Sequence, residues 1–246
     1  MKKLFSAIII CIFYINAISA DPNIILFGLP GAGKGTLSQK LIENNNYTHI
    51  CPGNLLRAEV RNQTDFGKKI EGILTKGDYV PEQLTFSFLK DKIIEAHNKS
   101  SPIIFDGYPR SVEALEMLNE LLEELKSKNN TMVFHLKVEP EKLLDRVLNR
   151  TVCNKCNKVY TKAKSRCDKC HTKLEQRKQD TADILKNRIE HYDTIATPLL
   201  HNFKQREYTI TELQSDNAMQ LLNDVQKAIK PKQAKYCESS LTEAGI

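Results

Sequence analysis

Ile24-Ile25-Leu26-Phe27-Gly28-Leu29-Pro30-Gly31-Ala32-Gly33-Lys34-Gly35-Thr36 runs from a short apolar stretch through a glycine-rich turn into an amphipathic segment. The apolar run Ile24 to Phe27 reads as a buried strand and Gly33 to Glu43 as a helix. Between them, glycines let successive backbone amides converge on an anion with no Cβ in the way, and the helix N-terminus adds positive potential. Lys34 brings a mobile charge to the outer phosphates. Gly31, Ala32, Gly33, Lys34, Gly35 and Thr36 are therefore the candidate cradle for a polyphosphate. The residue after the lysine is Gly35 and the hydroxyl comes one place later, on Thr36. That displacement weakens the expectation of a direct hydroxyl ligand to magnesium.

Outward from this loop, short apolar runs alternate with longer amphipathic ones. Ile103 to Phe105, Met132 to Leu136 and Tyr208 to Ile210 read as further strands. Glu82 to His97, Ser111 to Ser127, Glu139 to Arg150, Thr181 to Phe203 and Ala218 to Ile229 read as helices. The alternation predicts an α/β fold, a phosphate-loop parallel sheet flanked by helices on both faces. Two insertions interrupt it: Gly53 to Gly77, read as short helices with no strand between them, and the Cys- and Lys-rich segment Thr151 to Lys173. The core spans 21–229, with a helical segment at 51–80 and the cysteine-rich one at 151–178. From Lys230 the chain turns polar and reads as a loose tail, 230–246.

The 246 residues, 41% hydrophobic and 27% charged, are enough for a sizeable core and exclude a low-complexity or disulfide-stapled miniature. The net charge of +6 suits an anionic ligand without requiring nucleic acid. Residues 1–20 read apart from the rest: Lys2 and Lys3, an apolar run from Leu4 to Ile15, then small residues before Asp21-Pro22. This is the pattern of a signal peptide cleaved after Ser19 or Ala20, which places the mature chain outside the cytoplasm. The alternative is an unusual extension on a cytoplasmic protein.

Further along stand Gly53-Asn54-Leu55-Leu56-Arg57, then Asp106-Gly107-Tyr108-Pro109-Arg110, then Arg146 and Arg150, then Arg177 and Arg188. With the loop Gly28 to Thr36, these ordered motifs resemble those of adenylate kinases and the wider nucleoside monophosphate kinase family, over about residues 23 to 229. The resemblance implies transfer of the ATP γ-phosphoryl group to a nucleoside monophosphate, AMP first among them, with Mg²⁺. It implies that Lys34 and Arg150 hold ATP, that Arg57 and Arg110 hold the monophosphate, and that Arg146, Arg177 and Arg188 close over the transferred group. Fixed guanidinium groups suit this chemistry, because phosphoryl transfer is mostly positioning and neutralisation of charge. Asp106 and Gly107 follow a buried strand, where a lone carboxylate needs a cation, and a Mg²⁺ water shell is its expected partner.

Several positions depart from the family. Asn54 stands where relatives carry a second aspartate, and Gln179 replaces the first residue of an Asp-Asp pair. Pro52 and Ala114 replace the threonine and glutamine that relatives use to select adenine. Backbone contacts from Asp78, Tyr79 and Val80 remain available to hold a base. Another monophosphate as acceptor, or a weakened nucleotide or nucleic-acid binder, are the alternatives these departures leave open.

Cys153-x-x-Cys156 and Cys167-x-x-Cys170, ten residues apart, have the spacing of a structural Zn²⁺ knuckle. The same residues also admit two disulfides or an iron–sulfur site, and an oxidising compartment would favour the disulfides. Long-lid adenylate kinases carry a zinc knuckle here, and the resemblance places Val159 and Tyr160 near the ATP base. It also implies a monomer with nucleotides as its partners. The lysines of the insertion offset thiolate charge and draw ATP, and with Tyr160 its one aromatic, nucleic acid is not the expected partner.

Overall fold

The computed structural model describes residues 21–161, 164–190, 192–214 and 217–243, and the export signal read at 1–20 lies outside them. Five parallel strands form the central sheet: β1 Asn23–Phe27, β2 Thr48–Ile50, β3 Ile103–Asp106, β4 Thr131–Lys137 and, late in the chain, β8 Thr209–Gln214. Their order is β2-β3-β1-β4-β8, so β1 is central. Leu26 pairs with Asp106 across β1 and β3, and Phe27 pairs with His135 across β1 and β4. The connections leaving β1 and β4 lead to opposite sides of the sheet, which opens a crevice at the carboxyl ends of these strands.

Both faces of the sheet are apolar because both are covered. Ile25, Phe27, Phe105 and Val133 pack against α4 (Glu82–Asn98), α5 (Val112–Glu124) and α8 (Tyr192–Gln205). Ile24, Leu26, Ile104 and Phe134 pack against α1 (Lys34–Asn44) and α9 (Ala218–Glu243). The alternation along each strand, one residue to each face, is the period-two rule of extended chain. Among the described residues no helix is long and apolar enough to cross a membrane.

The first insertion folds as α2 (Pro52–Arg61) and α3 (Asp65–Lys76), around a small core of Leu56, Ile70 and Val80. Thr64 caps α3 by accepting from the Gly67 amide at 2.9 Å and donates to Glu59 Oε2 at 2.7 Å. After α6 (Pro140–Leu148), the second insertion forms a small antiparallel sheet of β5 (Thr151–Cys153), β6 (Val159–Tyr160) and β7 (Leu174–Glu175). It returns through α7 (Ala182–Glu190), so the single helix read over Thr181 to Phe203 is described as α7 and α8 on either side of position 191.

Two further readings change. Thr48–Ile50 is a strand that the sequence does not announce, because it is only three residues long and pairs with one neighbour, β3. The segment from Lys230, read as loose, is helical to Glu243, since extending a helix already packed through Leu221, Val225 and Ile229 is far easier than nucleating one. The tightest packing in the first insertion is at Gly67, where a Cβ would fall inside the van der Waals surface of the Glu59 carbonyl. Gly67→Ala should therefore push α2 and α3 apart and cost about 1–3 kcal/mol, read as a lower denaturation midpoint.

Candidate active site

The loop after β1 is shaped by positive φ angles at Gly28 (148°), Gly31 (85°) and Gly33 (95°). A side chain at Gly28 would strike the Leu136 carbonyl oxygen at 2.5 Å, so both backbone and space require glycine there. Gly33 precedes α1 in a left-handed conformation, which turns the amides of the first helical turn toward the crevice. Lys34 folds back over the loop, its Nζ donating to the carbonyls of Gly28 at 2.6 Å and Leu29 at 2.9 Å. Burial lowers its pKa to about 8, against the attraction of Asp106 and with the repulsion of Arg110.

Facing the loop is a cavity of about 500 Å³ lined by Arg57, Arg110, Arg146, Arg150, Arg177 and Arg188. They come from α2, the turn after β3, α6, the residues bracketing the second insertion, and α7. Asn54 Oδ1 accepts from Arg57 Nη2 at 2.6 Å and from Arg177 Nη2 at 2.9 Å. The carbonyl of Gly107 accepts from Arg110 Nε at 2.6 Å, and that of Gly77 from Arg188 Nη2 at 3.1 Å. Arg150 instead makes a two-pronged pair with Asp180, at 2.5 and 2.6 Å. The Tyr79 ring lies under two of these cations, 5.3 Å from Arg110 and 5.8 Å from Arg188. Burial, and then the charge of Arg177, pushes Arg57 below the usual guanidinium range, and burial with Arg150 does the same to Arg177. So much concentrated positive charge calls for a polyanion.

Asp106 closes the floor at the end of β3, with Oδ2 3.2 Å from His49 Nε2. Burial pushes its carboxyl up, but the His49 hydrogen bond and the charges of His49, Lys34 and Arg110 outweigh that and hold it below the usual carboxylate range. Gly31 to Thr36, Pro52, Asp78, Tyr79, Val80, Gly107 and Val159 line the same cavity. Ala114 is fully buried in the first turn of α5. Glu82 and Thr85, which no motif marks, line the cavity from the start of α4.

Tyr160 is the exception among the residues expected to meet. Val159 and Thr161 line the cavity, while Tyr160 between them turns the other way, because neighbours along a strand face opposite sides. Its hydroxyl lies 3.3 Å from Cys167 Sγ and accepts from the Asp168 amide at 2.9 Å. The sulfurs of Cys153, Cys156, Cys167 and Cys170 all lie within 4.8 Å of one another. The 3.6 Å separation of Cys156 and Cys167 sulfurs is too long for a disulfide. The hydrogen bond from Tyr160 lowers the Cys167 thiol pKa, and the Cys170 amide points at the same sulfur from 3.4 Å. The insertion is tied down across the cavity by Gln39 Nε2 to Asn157 O (3.0 Å), Arg61 Nη2 to Asn154 O (3.3 Å) and Gln179 Nε2 to Leu74 O (3.0 Å).

A glycine loop at the carboxyl edge of a parallel sheet, with arginines converging on it from two insertions, is the construction of a phosphoryl-transferring enzyme of the phosphate-loop class. The family model for adenylate kinase matches residues 26–208. The chain is 34% identical over 195 residues to an adenylate kinase of Thermosipho africanus, covering 77% of this chain and 90% of that one. It is 35% identical over 190 residues to one of Clostridium tetani (75% and 87%) and 30% over 214 residues to one of Lactococcus lactis (84% and 99%). The chain belongs to the adenylate kinase family.

The Arg150–Asp180 pair, with side chains 13% and 2% exposed, is the buried ion pair of this site. Removing one partner strands the other charge, so Asp180→Ala should cost about 3–5 kcal/mol in chemical denaturation, while Asp180→Asn should recover part of it.

Proposed function

We propose that this enzyme catalyses ATP + AMP ⇌ 2 ADP in the cavity between the loop and the two insertions. The observation that carries the reading is that Lys34 and six arginines from separate elements line one cavity. Loop amides from Gly31 to Thr36, with Lys34 and Arg150, hold the triphosphate. Arg57 and Arg110 hold the monophosphate, and Arg146, Arg177 and Arg188 neutralise the group in transit. With both nucleotides fixed by these forks, the attacking oxygen and the γ-phosphorus are held in line, and the second insertion covers them from water.

A Mg²⁺ bound with ATP would supply charge neutralisation at the phosphates. Asp106 is the residue here that fits its hydration shell, being buried, ionised and aimed into the cavity beside Gly35. Asn54 supplies an oxygen but no second charge. Val80, Glu82 and Thr85 make the wall for the acceptor base. A screen of monophosphate acceptors at fixed ATP and Mg²⁺ should show AMP as the fastest, and no turnover with any acceptor would end this reading. The pH profile supplies a second check. Lys34 binds phosphate only when protonated, so kcat/KM for ATP should fall as pH rises through about 8, and Lys34→Met should lose that limb along with most of its activity.

The four cysteines are read as ligands of a structural Zn²⁺. Zn–S bonds of about 2.3 Å in a tetrahedron set sulfurs about 3.8 Å apart, close to the 3.6 Å of Cys156 and Cys167. Among its described residues the insertion has little other core, the cluster around the cysteines burying just Tyr160 and Leu174 beside them and Val152 being buried nearby. Stripping the metal from the full chain with a strong chelator should therefore unfold the lid and lower turnover, with the sheet core keeping its own cooperative transition. Finding no metal in the native protein would overturn this part.

A further inference from the structure

At the floor of the cavity three side chains of different chemistry meet outside the cysteine knuckle. His49 is the middle residue of β2, Cys51 directly follows that strand, and Asp106 ends the neighbouring β3. Their imidazole nitrogen, sulfur and carboxylate oxygen all lie within 4.8 Å of one another, and all three residues line the cavity. We propose that His49, Cys51 and Asp106 form a second, exchangeable site for a borderline-soft divalent ion such as Zn²⁺, and that its occupation inhibits the enzyme.

The geometry fits three ligands of one tetrahedral ion. Nitrogen and oxygen ligands at about 2.0–2.1 Å stand about 3.3 Å apart in a tetrahedron, and His49 Nε2 and Asp106 Oδ2 are already 3.2 Å apart. A small movement of the Cys51 side chain completes the set. The thiol gives its proton to solvent on binding, and His49 keeps its remaining proton on Nδ1 while Nε2 faces the ion. The fourth position faces the cavity, as in zinc sites that retain an open coordination place.

The surroundings choose the kind of metal. Lys34, Arg57 and Arg110 stand close by and repel a loosely held hard cation. An ion that bonds to a thiolate, with a second negative ligand in Asp106, can persist there where hydrated Mg²⁺ alone could not displace the hydrogen bond between His49 and Asp106. Binding takes Asp106 away from the nucleotide and sets a fixed ion beside the phosphate loop. That inhibitory consequence rests on the kinase reading, whereas the binding site itself does not.

The test uses the full chain with the knuckle filled with one equivalent of Zn²⁺, without nucleotide. Equilibrium dialysis should find a second equivalent, and adding Co²⁺ instead should raise a sulfur-to-cobalt charge-transfer band. Cys51→Ser, which keeps the shape and loses the thiolate, should weaken the second equivalent by more than about tenfold, as should His49→Ala. In the wild type, zinc should slow turnover and a chelator too weak to empty the knuckle should restore it. One equivalent only in the wild type, or a second that survives both substitutions, overturns the site. A second equivalent with unchanged turnover overturns the inhibition. An enzyme with no turnover on any acceptor would defeat the kinase reading while the metal count still judged the site.

Discussion

Crowding six guanidinium groups and an ammonium around one cavity costs free energy that the rest of the fold must supply, and the way they are tethered decides what that charge can do. Arg57 and Arg177 are fixed by the amide oxygen of Asn54, Arg110 and Arg188 by backbone carbonyls. Each of these acceptors holds a guanidinium in place without cancelling it. A carboxylate orients the fork at a cost in available charge, as Asp180 does for Arg150 alone among these tethered arginines. The departure at Asn54 is then consistent with its surroundings: one neutral oxygen serves two cations from different insertions and leaves both charged.

That arrangement makes the insertions part of the site rather than decoration on it. The sheet contributes the loop, Asp106 and Arg110, all from the carboxyl ends of β1 and β3. Arg57 and Arg177 are set by structures with small cores of their own, a few aliphatic residues in one case and a cysteine cluster in the other. Small cores are marginal, which is why Gly67 packs α3 directly on the backbone of α2 and why four cysteines cluster where apolar side chains are lacking. The contact of Gln179 with Leu74 O and that of Arg61 with Asn154 O join the two insertions to each other across the cavity.

The parts of this site that could be read from the chain are those in which sequence dictates geometry locally. Gly28 to Thr36 needs its glycines for φ and for space, and the five-residue run Asp106 to Arg110 carries both acid and base within one turn. The two Cys-x-x-Cys pairs belong to the same class. What was hidden depends on pairing at a distance. Three residues of β2, two of them polar, carry too little pattern to mark a strand, so His49 was not visible as a partner of Asp106. The resemblance puts Tyr160 beside the ATP base, yet a single step along a strand reverses the face, and the knuckle claims it. Glu82 and Thr85 have no motif and are found only through the wall they form.

Pro52 and Ala114, the two positions that depart from the family resemblance, have structural roles of their own. Pro52 takes the first position of α2, where its fixed φ starts the helix and its missing N–H would have had no partner anyway. Ala114 lies buried under the cap of α5, its amide given to the Ser111 hydroxyl oxygen at 3.0 Å. Ser111 in turn donates to Glu82, whose carboxyl pKa burial raises while that hydrogen bond and Arg110 oppose the rise. Helix α5 thus braces a carboxylate at the start of α4, beside Val80 and Thr85 on the cavity wall. A half-buried carboxylate held by one hydroxyl still has acceptor capacity to spare, and amino-bearing bases can satisfy it where a base with only carbonyl edges cannot.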